Sequence, residues 1–292
     1  MNKGGIYLEL KNRFKLVFYV VILLLSLGNI VFATGNIKDQ VNQGNSYYEE
    51  GNYEQAEKYW KMAADQGDIE AQYALGILYE DTGRADFSEK YYKMAAIQGD
   101  KDAQYNLGVL YDDQKKFAEA EKYYKMAAIQ GDKDAQYNLG CLYDEQKNFN
   151  EAEKYYKMAA IQGDKGAQYN LGCLYDELKK YDLAEKYYKM SADQGDMDAQ
   201  YNLGLLYKNQ KKYTQAEKYW KIASDQGDLE AQNNLGILYE EQKKYDLAEK
   251  YYKMAADEGL KDAQYNLGLF YSDQGRKELS KKYKDMVENN KN

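Results

Sequence analysis

Six tyrosines stand on a fixed interval: Tyr73, Tyr105, Tyr137, Tyr169, Tyr201 and Tyr265 occur at multiples of 32 residues, with Asn233 in the one intervening place. A tyrosine offers a rigid apolar face and a hydroxyl, which suits recognition of a peptide or a sugar. The same ring also suits packing between two helices, so both readings stand at this point. Asn106, Asn138, Asn170, Asn202, Asn234 and Asn266 follow directly and read as structural bonds between repeats, with a ligand backbone as the alternative partner. A Lys-aromatic-aromatic-Lys string recurs too, as in Lys58-Tyr59-Trp60-Lys61 and Lys122-Tyr123-Tyr124-Lys125. One aromatic of each pair is expected in the core. The lysines, with Glu121 beside them, read as a solvated and locally neutralised outer face.

Catalytic chemistry has little to work with. Among 292 residues there is no His, which removes the commonest general base and the commonest zinc ligand. There is no Gly-rich phosphate loop, and no Ser or Cys stands beside a credible base. Acidic pairs such as Asp112 and Asp113 recur, but an active site needs one special place and these return in unit after unit. The two cysteines, Cys141 and Cys173, hold a slot filled elsewhere by Ile77, Val109, Leu205, Ile237 and Leu269. Equivalent places on stacked helix pairs lie about 8–10 Å apart, beyond the ~7 Å a disulfide allows, so they are expected as two free thiols. No metal site and no cofactor is expected.

Composition agrees. Lys and Arg total 40 against 48 Asp and Glu, giving a net charge of −8, and Tyr supplies 34 residues. Residues 1–33 form a separate segment: Lys3, Lys11, Arg13 and Lys15 precede the apolar run from Leu16 to Leu27, and Val31-Phe32-Ala33 follows. That order reads as a secretory signal peptide, with an uncleaved anchor as the alternative. Residues 34–38 are a short linker. Removing the segment's net +3 takes the chain to about −11, which offers phosphate backbones or anionic lipid no general attraction. A secreted or periplasmic protein is expected, with no nucleic-acid partner and membrane contact only through the N-terminal segment.

The elements that position these side chains form a repeat. Ala71-Gln72-Tyr73 returns at Ala103, Ala135, Ala167, Ala199, Ala231 and Ala263, always 32 residues on, and Gln40, Gly44 and Tyr47 mark a degenerate earlier copy. In residues 103–134, Ala103, Leu107, Leu110 and Tyr111 share one helical face, and Phe117, Ala120, Tyr124 and Ala127 share a second. Gly131 supplies a left-handed cap between units, and Asp132 and Asp134 supply a helix start. Neither helix buries its face alone, so the units must stack. Gly108 recurs at 76, 140, 172, 204, 236 and 268 despite the ~1 kcal/mol that mid-helix Gly costs. It is expected to admit the partner helix at Ala120. Lys277 and Lys284, in places otherwise aromatic, are expected to solvate the last unit. Phe87, two places late, and Ser88 predict a shifted helix start near residues 80–90.

Leu107-Gly108, Tyr111, Ala120, Tyr124 and Ala127 resemble the tetratricopeptide repeat. Ala127-Ala128-Ile129-Gln130-Gly131-Asp132 with Ala135-Gln136-Tyr137-Asn138-Leu139-Gly140 is similar to the Sel-one-like subfamily. The resemblance covers residues 39–292 and implies an all-α superhelix of about eight 32-residue helix pairs, tetratricopeptide-like within pairs and Sel-one-like between them. It further implies a non-enzymatic scaffold whose concave groove binds a protein or peptide, with the six tyrosines as a ladder along it. The lysine and asparagine clamp with which chaperone-tail-binding members hold a carboxylate is missing: Tyr105 and Val109 stand there, with Asp102 one turn earlier. A glycan or cell-wall binder, a host-interaction factor at the cell surface and a secreted Sel-one-like hydrolase are the alternatives.

Overall fold

The computed structural model describes residues 36–289, and the signal segment and linker start lie outside the described residues. Every described element is an α-helix. α1 spans residues 36–49 and is followed by α2 (Tyr53–Ala64), α3 (Ile69–Asp81), α4 (Ala85–Ile97), α5 (Lys101–Asp113), α6 (Phe117–Ile129), α7 (Lys133–Glu145) and α8 (Phe149–Ile161). α9 (Lys165–Glu177), α10 (Tyr181–Asp193), α11 (Met197–Asn209), α12 (Tyr213–Asp225), α13 (Leu229–Glu241), α14 (Tyr245–Asp257), α15 (Lys261–Asp273) and α16 (Lys277–Asn289) complete the series. Odd helices are the first, and even helices the second, of eight hairpins. The fold is an all-α helical-repeat solenoid. It divides into two compact units, residues 1–135 and residues 136–292. In the first, α2 to α6 pack in sequence order; in the second, α8 to α16 do the same.

Two turn devices repeat, and each follows from local chemistry. Between hairpins, Gly131 takes φ 88°, its N–H donates to Ala128, and the Asp132 N–H reaches back to Ala127. This is the Schellman closure that satisfies the last carbonyls of a helix. The Asp132 carboxylate then caps the next helix by accepting from the Ala135 N–H at 2.8 Å. Within hairpins the same closure is built on Lys115 (φ 58°), which donates to Asp112, while Lys116 donates to Tyr111.

The link before α15 lacks both of its usual polar groups. Leu260 stands at the N-cap and makes no side-chain cap bond. Glu258 stands where Gln98, Gln130, Gln194 and Gln226 elsewhere donate to a first-helix glutamine, for example Gln130 Nε2 to Gln104 Oε1 at 2.8 Å. A carboxylate is acceptor-only, so the buried Gln232 Oε1 is left without a partner. Leu260→Asp and Glu258→Gln are each expected to stabilise the second unit by about 1 kcal/mol. A rise in urea midpoint at constant m-value would show it. No rise in either single variant refutes the assignment.

The core differs from expectation at three places. An ideal Cβ on Gly108 would lie 2.3 Å from Cδ1 of Tyr124, so the glycine makes room for an aromatic ring and not for an approach at Ala120. Gly76, Gly140, Gly172 and Gly236 face tyrosine rings in the same way, and Gly44 and Gly204 face Trp60 and Trp220. Both aromatics of the Lys-flanked pairs from Tyr91-Tyr92 to Tyr251-Tyr252 are buried, not one, as Tyr123 at 7% and Tyr124 at 1% exposed show, whereas Tyr59 of the first pair is half-buried. Tyr124 lies over the glycine of its own hairpin, whereas Tyr123 stacks on Tyr111 with centroids 5.6 Å apart. Finally, α4 starts in the same register as α6, with no shift at residues 80–90. Gly83 and Arg84 form the same turn closure, and this sets the start irrespective of where the aromatic falls. Phe87 remains half exposed against Tyr79, and Ser88 is fully buried.

The last hairpin behaves as a solvated end. Lys284 lays its aliphatic stem on Gly268, its Cγ 3.2 Å from where a Cβ would stand, and Lys277 is exposed. On α16, Tyr283 keeps the aromatic packing, on Tyr271.

Candidate site on the first-helix face

The six tyrosines occupy one position in the second turn of the first helices, two residues after the buried alanine. Tyr73, Tyr105, Tyr137, Tyr169 and Tyr201 are half-buried, and Tyr265 is 52% exposed. The difference has a simple cause. Four of the rings lean on the second helix of their own hairpin, as Tyr73 does on Tyr92 (5.9 Å) and Tyr169 on Tyr188 (6.1 Å), and Tyr73, Tyr169 and Tyr201 each meet an asparagine of the following first helix. A Cβ on Gly166, in the first turn of α9, would lie 3.0 Å from the Tyr137 ring. Among the described residues no first helix follows α15, so Tyr265 loses that cover.

The asparagines join successive first helices. Asn202 Nδ2 donates to the Tyr169 hydroxyl at 3.1 Å and Asn234 to Tyr201 at 3.3 Å, while Asn106 reaches Tyr92 at 3.3 Å and Tyr73 at 3.5 Å. Where Asn233 replaces the tyrosine it is buried and accepts from Asn266 at 3.0 Å, preserving the link. The tyrosines therefore do two things. One side of each ring packs within the array, and the other faces solvent, with acids close by: Asp102 and Glu80 near Tyr73, Asp198 near Tyr169, Glu230 near Tyr201. Burial above all, with these charges adding to it, pushes the hydroxyls of Tyr73, Tyr169 and Tyr201 above their ordinary range. They stay protonated donors.

Two polar networks had only partial sequence signals. The glutamines of the Ala-Gln-Tyr string are buried, and Gln104 Nε2 donates back to the Ala96 carbonyl of the preceding hairpin at 3.0 Å. The second set centres on Glu89, which accepts from Lys93 and from the Tyr111 hydroxyl of the next hairpin at 2.9 Å. Glu153 repeats this with Lys157 and Tyr175, and Glu217 with Lys221 and Tyr239. The other lysine of each Lys-flanked pair lies over a ring, as Lys122 does over Tyr123 at 4.9 Å. The lysine-rich outer face is thus neutralised locally.

These carboxylates give a pH signature. The Lys93 bond holds the Glu89 carboxyl below its ordinary range against an opposing effect of burial, and Glu153 is held likewise by Lys157. Burial raises Asp112, Asp144 and Asp176 instead, with Glu177 adding repulsion at Asp144. For a depressed carboxyl, stability is present above the unfolded pKa and is lost as pH falls through the folded one. For a raised one the sign reverses, and protonation relieves a cost. Urea midpoints are expected to rise slightly from pH 7 into mild acid and to collapse below about pH 4.5, the ordinary glutamate value. Asp112→Asn, Asp144→Asn and Asp176→Asn together should diminish the rise and leave the collapse; a rise undiminished by the three substitutions contradicts the assignment.

The cysteines are free and partly buried. Burial pushes both thiols up, and Cys141 accepts weakly from Asn170 at 3.7 Å, which leaves neither poised as a thiolate nucleophile. Among the described residues no group of three or more potential ligands could hold a metal ion, and no helix is long and apolar enough to cross a membrane.

Comparison with known proteins places this geometry. A tetratricopeptide repeat model matches residues 41–103, 95–136, 105–167 and 201–263, and another model of that repeat matches 166–190 and 262–283. Among solved structures, a protective antigen of uropathogenic Escherichia coli displaying an SLR fold is 27% identical with a TM-score of 0.72. That alignment covers 87% of this chain and 62% of the antigen, so the chain spans somewhat less than two thirds of that relative. A Sel1 repeat protein from Oxalobacter formigenes is 23% identical, with a TM-score of 0.68 over 89% of this chain and 85% of the other. A third structure, PilF of Pseudomonas aeruginosa, is 19% identical with a TM-score of 0.53 over 68% of this chain and 96% of its own. Comparison with curated proteins gives no match. Repeats of this type are generally protein-interaction scaffolds, and typically non-catalytic. With matches over most of its length, the chain belongs to the tetratricopeptide repeat family, and its fold is similar to that of Sel1 repeat proteins.

Proposed function

We propose that this protein is an exported, non-enzymatic scaffold that binds a protein or peptide along the first-helix face, with Tyr73, Tyr105, Tyr137, Tyr169, Tyr201 and Tyr265 as contacts. One observation carries the reading: five of the six rings are half-buried and anchored at one edge while the other edge is left to solvent. A ring already held by Tyr92 or Tyr188 loses little side-chain entropy when a partner lies on its free edge. Export rests on the order of basic, apolar and small residues in the first 33.

The test is partner capture from an envelope extract with residues 34–292, against a Tyr73/Tyr105/Tyr169→Leu variant shown by circular dichroism to stay helical. Retention by the parent and loss by the folded variant supports the reading. Equal retention assigns the tyrosines to packing alone. Fractionation and protease accessibility of intact cells test export, and recovery of the full-length chain in the cytosol would refute it.

A further inference from the structure

The protein's negative charge is segregated by helix. First helices α3 to α15 carry seventeen Asp and Glu against five Lys, whereas second helices α2 to α16 carry nineteen against eighteen. On the second helices the charges are paired, as in Lys93 with Glu89 and Lys221 with Glu217. Lysines at first-helix starts are engaged as well: Lys101 reaches Asp132 at 3.4 Å and Lys165 reaches Asp196 at 3.6 Å.

The first-helix acids also sit where a helix does not want them. Glu80-Asp81, Asp112-Asp113, Asp144-Glu145, Asp176-Glu177 and Glu240-Glu241 fill last turns that contain no basic residue. A helix C-terminus carries partial negative charge, and a carboxylate there costs about 0.3–1 kcal/mol. Burial opposes ionisation of Asp112 and Asp144, and like charge adds to it, while the Tyr124 and Tyr156 hydroxyls that donate to them offset part of the cost. The pattern recurs in both units, on the same helices as the half-exposed tyrosines. Asp113, Glu145 and Glu177 are exposed, as is Asp102 near Tyr73. A positively charged partner would relieve the repulsion and lie on the tyrosines.

We propose that the first-helix face of each unit docks a cationic, lysine- or arginine-rich segment of a partner protein, its charges met by the acids and its aliphatic stems laid on the tyrosine edges. This rests on the scaffold reading above and names the partner's chemistry. Acidic tails are excluded by the same charges.

The experiment uses the full chain and two fluorescein-labelled peptides of equal length, oligo(Lys-Gly-Ser) and oligo(Glu-Gly-Ser), in an anisotropy titration. The lysine peptide should bind, weaken with added salt, and weaken roughly tenfold in an Asp102→Asn/Asp113→Asn/Glu145→Gln/Glu177→Gln variant. All four side chains are exposed, so the fold is retained. A control variant removes as many charges from exposed second-helix acids, Glu54→Gln/Asp86→Asn/Glu119→Gln/Asp246→Asn, and should change binding less than about twofold. No binding of the lysine peptide, equal binding of both peptides, or equal weakening by the control overturns the proposal. If tyrosine-dependent capture succeeds while the peptide test fails, the scaffold reading stands and the partner class is wrong. If capture itself is tyrosine-independent, the reading beneath both falls.

Discussion

Gly204→Ala is expected to destabilise the second unit by about 2 kcal/mol, and the same substitution is expected to stabilise it once Trp220 is Leu. Alanine is the better helix former, by ~1 kcal/mol, so propensity alone predicts a gain. The structure reverses the sign. An ideal Cβ at this position would lie 2.4 Å from both Cδ1 and Nε1 of Trp220, far inside van der Waals contact. The ring cannot retreat easily, because Trp220 is fully buried and its Nε1 donates to the Tyr201 carbonyl at 3.2 Å. Overpacking of this kind costs about 1–3 kcal/mol or more, which exceeds the propensity gain. Trp220→Leu by itself should cost about 3 kcal/mol through lost burial, while opening the space that the new methyl group fills. The two substitutions must therefore couple strongly. Urea unfolding followed by far-ultraviolet circular dichroism, on all four corners of the cycle, measures this. Additive effects would refute the account of the seven helical glycines. A change in Trp60 emission, from the other unit, would show an effect that is not local.

The second large effect concerns the hairpin turns. Replacing Lys115, Lys147, Lys179, Lys211 and Lys243 together by Gly is expected to raise stability by about 3–5 kcal/mol. All five lysines have φ between 56° and 60°, while Gly51, Gly83 and Gly275 hold the equivalent place in the other three hairpins. A side chain in the left-handed region costs about 1–2 kcal/mol, and part of the gain is offset because Gly frees the unfolded chain. Each lysine is exposed, so no packing is lost. In a repeat array the increments add nearly independently, since the five lysines are exposed and stand in separate turns. Thermal unfolding of the parent, one single variant and the fivefold variant reads the effect. A fivefold variant no more stable than the parent would mean that the lysines make compensating contacts.

Much of the fold was legible in the residues because it is decided by local chemistry. The 32-residue interval, the left-handed glycine such as Gly131 and the Asp132 cap fix where helices stop and start, and the observed α5 and α6 follow those signals. Ala103, Leu107, Ala120 and Ala127 were assigned to the core by periodicity and are buried. Phe117, assigned with them, is 44% exposed, because the first residue of a helix has no preceding turn to pack it against. The site was legible only in part. The interval picks out Tyr105 and its copies, but whether a ring packs, binds or does both depends on how far the next first helix slides over it.

What the sequence determined alone is what short-range backbone chemistry and periodicity determine: eight helix pairs, their boundaries, and a buried face on each. It also determined the surplus of acid and the absence of His-based chemistry. The tertiary structure decided which ring fills which space. Gly108 is matched to Tyr124 and not to Ala120, Tyr123 is turned inward onto Tyr111, and Glu89 holds the hydroxyl of the next hairpin. Those pairings depend on the offset and rotation between stacked helices. That offset is set by the summed shape of many side chains, and no single interval in the chain encodes it.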